Sequence, residues 1–231
     1  MIASFVALER VKILSGEHLW PIIVALLFSI GVIRVAKKLS SERQKLLIHV
    51  MACLISIGVA AFHIHKYFSS TYDFTKDLPL YLCSLVALLM PIYTYFRSYW
   101  MFEILLFWII AGTLQGSLTP DIAEGFPSLD YFRYWMVHLG LLFIMCYEIT
   151  IFKRRPQFKS IFKSFGALQL YVVLMMLINY LLQANYFYLN KKPKSASLLD
   201  YFGDWPYYLI VTQLIVLPLF LLIYLPFRIK K

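Results

Sequence analysis

Charge is what this sequence has least of. Only 15% of its 231 residues are Asp, Glu, Lys or Arg, against 61% hydrophobic residues, and its mean hydropathy is +0.72. That is too little polar surface to cover a water-soluble domain, and too much apolar surface for a disordered chain. Cysteine is scarce as well. The three thiols, Cys53, Cys83 and Cys146, are odd in number and lie inside long apolar runs, which excludes a secreted disulfide framework. A low-complexity linker and an internal repeat are also missing, so a single integral domain over residues 1–231 is expected. What is present is a set of apolar runs separated by short bursts of basic residues. The net charge of +10 is therefore read as membrane topology and not as affinity for nucleic acid.

A hydrocarbon core of about 30 Å takes roughly 20 helical residues to cross. Seven stretches qualify or nearly so, at about 19–36, 45–67, 78–96, 101–117, 129–152, 164–189 and 205–226. The expected fold is all-α and polytopic, with seven transmembrane helices in the cell membrane. The fourth stretch is the shortest and holds Gly112 and Gly116, so it is expected to break or to stop short of the far interface. The first seventeen residues lack the apolar core of a signal peptide and read as an attached interfacial helix. Fourteen of the 22 Lys and Arg fall on the side holding residues 34–45, Arg97, 153–163 and the C-terminal tail. That side is predicted to be cytoplasmic, with the N-terminus outside and the C-terminus inside.

Polar groups within spans are costly and therefore candidates for function. At 1.5 Å per residue, His63, Cys83, Ser84, Gln115, Thr119, His138, Asn179, Gln183 and Gln213 gather in one layer. That layer lies roughly 5–15 Å below the outer interface. The inner half offers His49, Glu103 and Glu148, the two acids lying close enough to the interface to pair with basic neighbours. The asymmetry predicts a polar cavity open to the outer leaflet. Each residue also has a plainer reading. Cys83 alone serves as a small buried hydrophobe, and His138 alone as a histidine bonded to a backbone carbonyl. Gln115, Asn179, Gln183 and Gln213 serve equally as interhelical glue, and His63 as part of a solvated face. Cys53 and Cys146 are read as structural. Trp20, Trp100 and Trp205 read as interface belts. HIH at 63–65 puts its histidines on different helix faces, so neither a metal nor another cofactor is called for. A thiol and an imidazole at one depth fit acyl transfer, with the imidazole taking the thiol proton and Ser84, Gln115, Asn179 or Gln213 facing the developing oxyanion.

The strings LPLYLCS (78–84), AGTLQGSLTPD (111–121), GFP with FRYWMVHLG (125–140) and KPKSASLLDYFGDWPYYL (192–209) resemble the YwaF-type family of bacterial integral membrane proteins. That family is similar to an animal acyltransferase that makes ether phospholipids, and more distantly to androgen-induced hydrolases of branched fatty-acid esters. The resemblance implies a helical membrane fold, with Cys83 as nucleophile and His138 as general base. It also implies substrate or oxyanion contacts at Gln115 and Thr119, and a helix stop at Pro120–Asp121. Tyr81 stands where many bacterial members carry His; a tyrosine with its ordinary pKa of about 10 is a poorer base. The expected activity is transfer or hydrolysis of a lipid acyl group through a thioester on Cys83. Membrane phospholipid would be both donor and acceptor. The alternatives are a small-molecule transporter using the same polar layer, or an assembly subunit of a larger complex.

Overall fold

The structure, a computed structural model, describes residues 10–69 and 72–228, and all regular structure among them is helical. Seven helices carry the fold: α1 (Gly16–Ala36), α2 (Ser41–Ser69), α3 (Leu82–Phe96), α4 (Tyr99–Leu118), α5 (Leu129–Thr150), α6 (Phe158–Leu182) and α7 (Tyr207–Arg228). Their starts are written locally. Ser15, Ser98 and Ser128 accept the amide hydrogens of His18, Met101 and Tyr131, satisfying donors that an open helix end leaves bare. Gln157 and Ser160 cap each other's backbone at the start of α6. Two helices end on left-handed residues, Arg97 after α3 and Gln183 after α6, which halts the hydrogen-bond ladder.

Five helices, α1, α2, α4, α6 and α7, are long and apolar enough to cross a bilayer. Of the other two, α3 has only 15 residues, and α5 carries Asp130, Arg133 and Glu148. Burial ranks them by position. Half of the apolar stretch of α4 is buried, against 6% in α1 and 11% in α7. Helix α4 is thus central, and α1 and α7 present Leu26, Leu27, Leu214 and Leu222 outward, as lipid-facing helices do. Around α4 the core is built from Met90, Tyr93, Phe102, Leu106, Phe107, Ile144 and Tyr147, all at 0% exposure. Helix α2 packs on α3 and α5, and α6 packs on α4.

Three expectations are corrected. Helix α4 does not break at its glycines. It runs on through a π turn at Ile109–Thr113, which inserts one residue per turn and rotates everything after it. The sixth apolar run does not stay helical to residue 189. It leaves the helix at Gln183, because Asn179 accepts the Tyr186 amide at 2.7 Å and donates to the Tyr186 carbonyl at 2.9 Å. The apolar residues 186–189 are therefore loop, folded back onto the bundle. Of the expected N-terminal interfacial helix, residues 1–9 lie outside the described residues; from Arg10 to Ser15 the chain is non-helical and turns into α1.

Candidate active site

Cys83 sits in the first turn of α3, half-buried, its Sγ 3.8 Å from the Thr113 hydroxyl at the end of the π turn. His138, in the middle of α5, is 8% exposed and packs directly on Gly116. Thr113 and Gly116 are three residues apart on α4, neighbours on one helix face. The π turn sets that register. Thiol and imidazole, from two different helices, therefore abut the same turn of a third.

The imidazole is held in one tautomer. Its Nδ1 lies 2.8 Å from the Tyr134 carbonyl, an oxygen that only accepts, so Nδ1 carries the hydrogen and Nε2 presents a lone pair. The ring stacks on Tyr134 at 3.9 Å between centroids and 17° between planes. Tyr134 is fixed in turn: its hydroxyl donates to the Gly116 carbonyl at 2.8 Å and accepts the Asp121 amide at 3.4 Å. Both the backbone-bonded histidine and the candidate base are thus present in one residue, on opposite nitrogens. Among the described residues no hydrogen bond engages Nε2.

Aromatic residues gather beside the start of α3. The Tyr171 hydroxyl donates to the Leu80 carbonyl at 2.6 Å. Tyr81, just before α3, packs on Tyr186 and Tyr188 from the folded-back loop, with centroids 5.4 and 5.5 Å away. The Tyr188 hydroxyl donates to Asp121 at 2.9 Å, and Asp121 also takes the Arg10 guanidinium. Arg10 reaches on to Ser195 at 3.0 Å. Asp121 does more than stop a helix: it ties the N-terminal segment, the end of α4 and the 183–206 loop together at one mouth of the bundle. Arg133 pairs with Asp130 and lies 4.6 Å over the Phe62 ring. A cavity of about 350 Å³ opens beside this mouth, lined by Arg10, Ser15, Glu17 and Phe126; Cys83 and His138 do not line it.

The remaining candidates are engaged elsewhere. Ser84 is buried next to Cys83 on α3. The Gln115 amide donates to the Thr119 hydroxyl at 2.9 Å, which returns a bond to the Gln115 carbonyl at 3.2 Å; together they close the end of α4. Asn179 clamps the Tyr186 backbone. Gln183 is exposed and donates to the Tyr180 carbonyl. Gln213 accepts from Gln169 at 2.9 Å, joining α7 to α6. His63 meets the Tyr72 hydroxyl at 3.4 Å, and its Nε2 is buried with no hydrogen bond among the described residues. At the opposite end of the bundle Glu103 accepts from Lys163 and Ser160 at 2.5 and 2.6 Å, while Glu148 faces Arg154 and Arg97.

Sequence reasoning passed over Thr113, Tyr134, Tyr171, Tyr188 and Arg10. Seventeen tyrosines in a membrane chain resemble an interface belt, and nothing local separates the few that turn inward. It also left Cys53 without polar company, whereas His49 lies 3.6 Å from its sulfur. The HVMAC spacing, His and Cys four apart on a helix, was the available signal. Among the described residues no three His, Cys, Asp or Glu gather into a metal site.

In comparison with known proteins, the profile of the TMEM164 family matches residues 13–224. It supports that grouping and not the YwaF label. No curated protein and no solved structure is found to match the chain.

Proposed function

The chain belongs to the TMEM164 family, and on that premise we propose that it is a membrane-embedded enzyme moving an acyl group of a phospholipid through Cys83 and His138. In this reading α3 and α5 cross the membrane with the five longer helices, making seven spans of the cell membrane. The N-terminus is outside, the basic 153–163 segment and the tail are cytoplasmic, and the site lies in the outer half. The observation that carries the proposal is the convergence of thiol and imidazole on the Thr113–Gly116 turn, with the imidazole already in the tautomer a base needs.

Cys83 Sγ attacks the ester carbonyl, and its proton passes to His138 Nε2. As the tetrahedral intermediate collapses, the ester C–O bond breaks and Nε2 returns the proton to the departing lipid oxygen. This leaves a thioester on Cys83. A hydroxyl of a second lipid, or water, then attacks that thioester; its proton goes to Nε2 and on to the sulfur. Transfer and hydrolysis differ only in this acceptor. The Thr113 hydroxyl, 3.8 Å from the sulfur, is the donor offered to the oxyanion, since the Gln115 amide is spent on Thr119. The Nδ1–H bond to Tyr134 plays the orienting part that a carboxylate plays in a Ser-His-Asp triad.

The test is purified protein in phospholipid vesicles with Cys83→Ala and Cys83→Ser. Folding is verified by thermal unfolding, and acyl exchange is followed by mass spectrometry. Wild type should yield a hydroxylamine-sensitive acyl adduct on Cys83, and both variants should lose exchange by at least a thousandfold. Full exchange in Cys83→Ala, with no acyl adduct on the wild-type thiol, defeats the mechanism. Solute uptake that survives Cys83→Ala would favour a transporter.

A further inference from the structure

A second thiol–imidazole pair lies outside the candidate active site, on α2. Cys53 Sγ is 3.6 Å from His49 Nε2, and His49 Nδ1 is 2.9 Å from the Thr94 hydroxyl of α3. The Thr94 hydroxyl lies 2.9 Å from the Met90 carbonyl and 3.2 Å from the Pro91 carbonyl. With its one hydrogen on either, its oxygen accepts from Nδ1–H, and Nε2 is left as a lone pair facing the thiol. Nucleophile, base and orienting group stand in the order that activates a cysteine.

The surroundings say what could reach it. Leu46, Val50 and Ile57 are 62, 44 and 62% exposed. Cys53 lies seven residues from Leu46, three from Val50 and four from Ile57, so it shares their face, the one turned to hydrocarbon. Depth narrows the reagent further. Lys45 and Lys66 mark the two ends of α2 at a separation of about 32 Å at 1.5 Å per residue, close to a core of about 30 Å. Cys53 then lies about 12 Å from the Lys45 plane, close to the bilayer midplane and toward the far ends of the acyl chains. Glycerol esters sit at the interface, out of its reach. A free thiolate is too costly there, so the proton must leave as the new bond forms.

We propose that Cys53 is a second reactive site, taking electrophilic carbon carried on an acyl chain, of the α,β-unsaturated carbonyl class. The sulfur bonds to the β-carbon, and the alkene electron pair shifts toward the carbonyl. The thiol proton passes through His49 Nε2 to the α-carbon. The product is a saturated thioether adduct, with no other reactant consumed. Cys83 takes no part, so the proposal stands apart from the acyl-transfer reading.

The experiment uses the full chain in phosphatidylcholine vesicles with trans-2-nonenal as probe. Adducts are fixed by borohydride and counted per cysteine by peptide mass spectrometry. Cys146 on α5 is the internal reference, an exposed thiol with no side-chain hydrogen-bond partner among the described residues. Cys53 should react at least tenfold faster than Cys146, and His49→Phe should bring it down to the Cys146 rate without changing Cys146. If His49→Phe does not fold, the isosteric Thr94→Val, which frees the imidazole to take the other tautomer, should lower Cys53 labelling severalfold. A Cys53 rate at or below that of Cys146, or one indifferent to both substitutions, overturns the proposal. So does equally rapid labelling of Cys53 by a permanently charged methanethiosulfonate, which would put water and not hydrocarbon at the thiol.

Discussion

Gly116 and Gly112 lie one turn apart on α4, and the bundle asks different things of them. A methyl group at position 116 would stand 2.7 Å from both Cδ2 and Nε2 of His138 and 3.2 Å from the Tyr134 hydroxyl. Carbon contacts settle at about 3.5–4.0 Å, so the ring would have to retreat by roughly 1 Å. It cannot swing away freely, since Nδ1 is bonded to the Tyr134 carbonyl at 2.8 Å and the ring is stacked at 3.9 Å. Overpacking of this kind costs about 1–3 kcal/mol, and the better helix propensity of Ala returns about 0.5–1 kcal/mol. Gly116→Ala should therefore lose about 1–2 kcal/mol of stability and remain folded. A displacement of about 1 Å in a catalytic base costs on the order of a hundredfold in rate. At position 112 the added methyl meets only Leu82 Cδ2, at 3.8 Å, an ordinary contact. Gly112→Ala should be neutral or slightly stabilising, with acyl exchange within about threefold of wild type by the same scale. Thermal unfolding and vesicle acyl exchange on the two variants check both halves. Equal exchange in Gly116→Ala and Gly112→Ala would refute the placement of His138 against this turn.

Three further outcomes follow from the geometry. Asn179→Leu removes both bonds to the Tyr186 backbone and leaves a buried amide and carbonyl bare, at a cost of about 2–3 kcal/mol. Hydrogen exchange should rise first in residues 184–190. Lys163→Met leaves Glu103, whose side chain is 1% exposed, without its cation; because Lys163 itself is partly solvated, the cost should sit near the low end, about 3 kcal/mol. Glu103→Leu combined with Lys163→Met should recover most of that in thermal unfolding. The Thr75 hydroxyl, first, and then the Lys76 ammonium and the Thr75 amide hold Asp73 down from 3.8 to about 2. A depressed carboxylate contributes its loop contacts above pH 3.8 and loses them as pH falls through about 2. Carboxyl NMR titration should find that low value in wild type and a clear rise toward 3.8 in Thr75→Ala.

The class of protein was legible because hydrocarbon is an unforgiving solvent: apolar runs and basic turns are local marks that no tertiary contact is needed to read. Cys83 and His138 were legible as candidates from their depth and their motifs. Their partners were not. Whether an aromatic residue belongs to an interface belt or to a site depends on which way its helix is rotated. The π turn at Ile109–Thr113 changes that rotation, and Gly112 within it reads in sequence as a break and not as a change of register. The run at 186–189 is as apolar as the helix before it, yet Asn179 pulls it into a loop that supplies Tyr188 to Asp121. Asn179 itself, expected near substrate, is used up in doing so. Sequence alone determined that this chain lives in a bilayer and which few polar groups it carries there, since burying charge in hydrocarbon costs the same wherever it occurs in the chain. Only the tertiary structure decided which of those groups face one another, because helix rotation and loop return are set by packing between segments far apart in sequence.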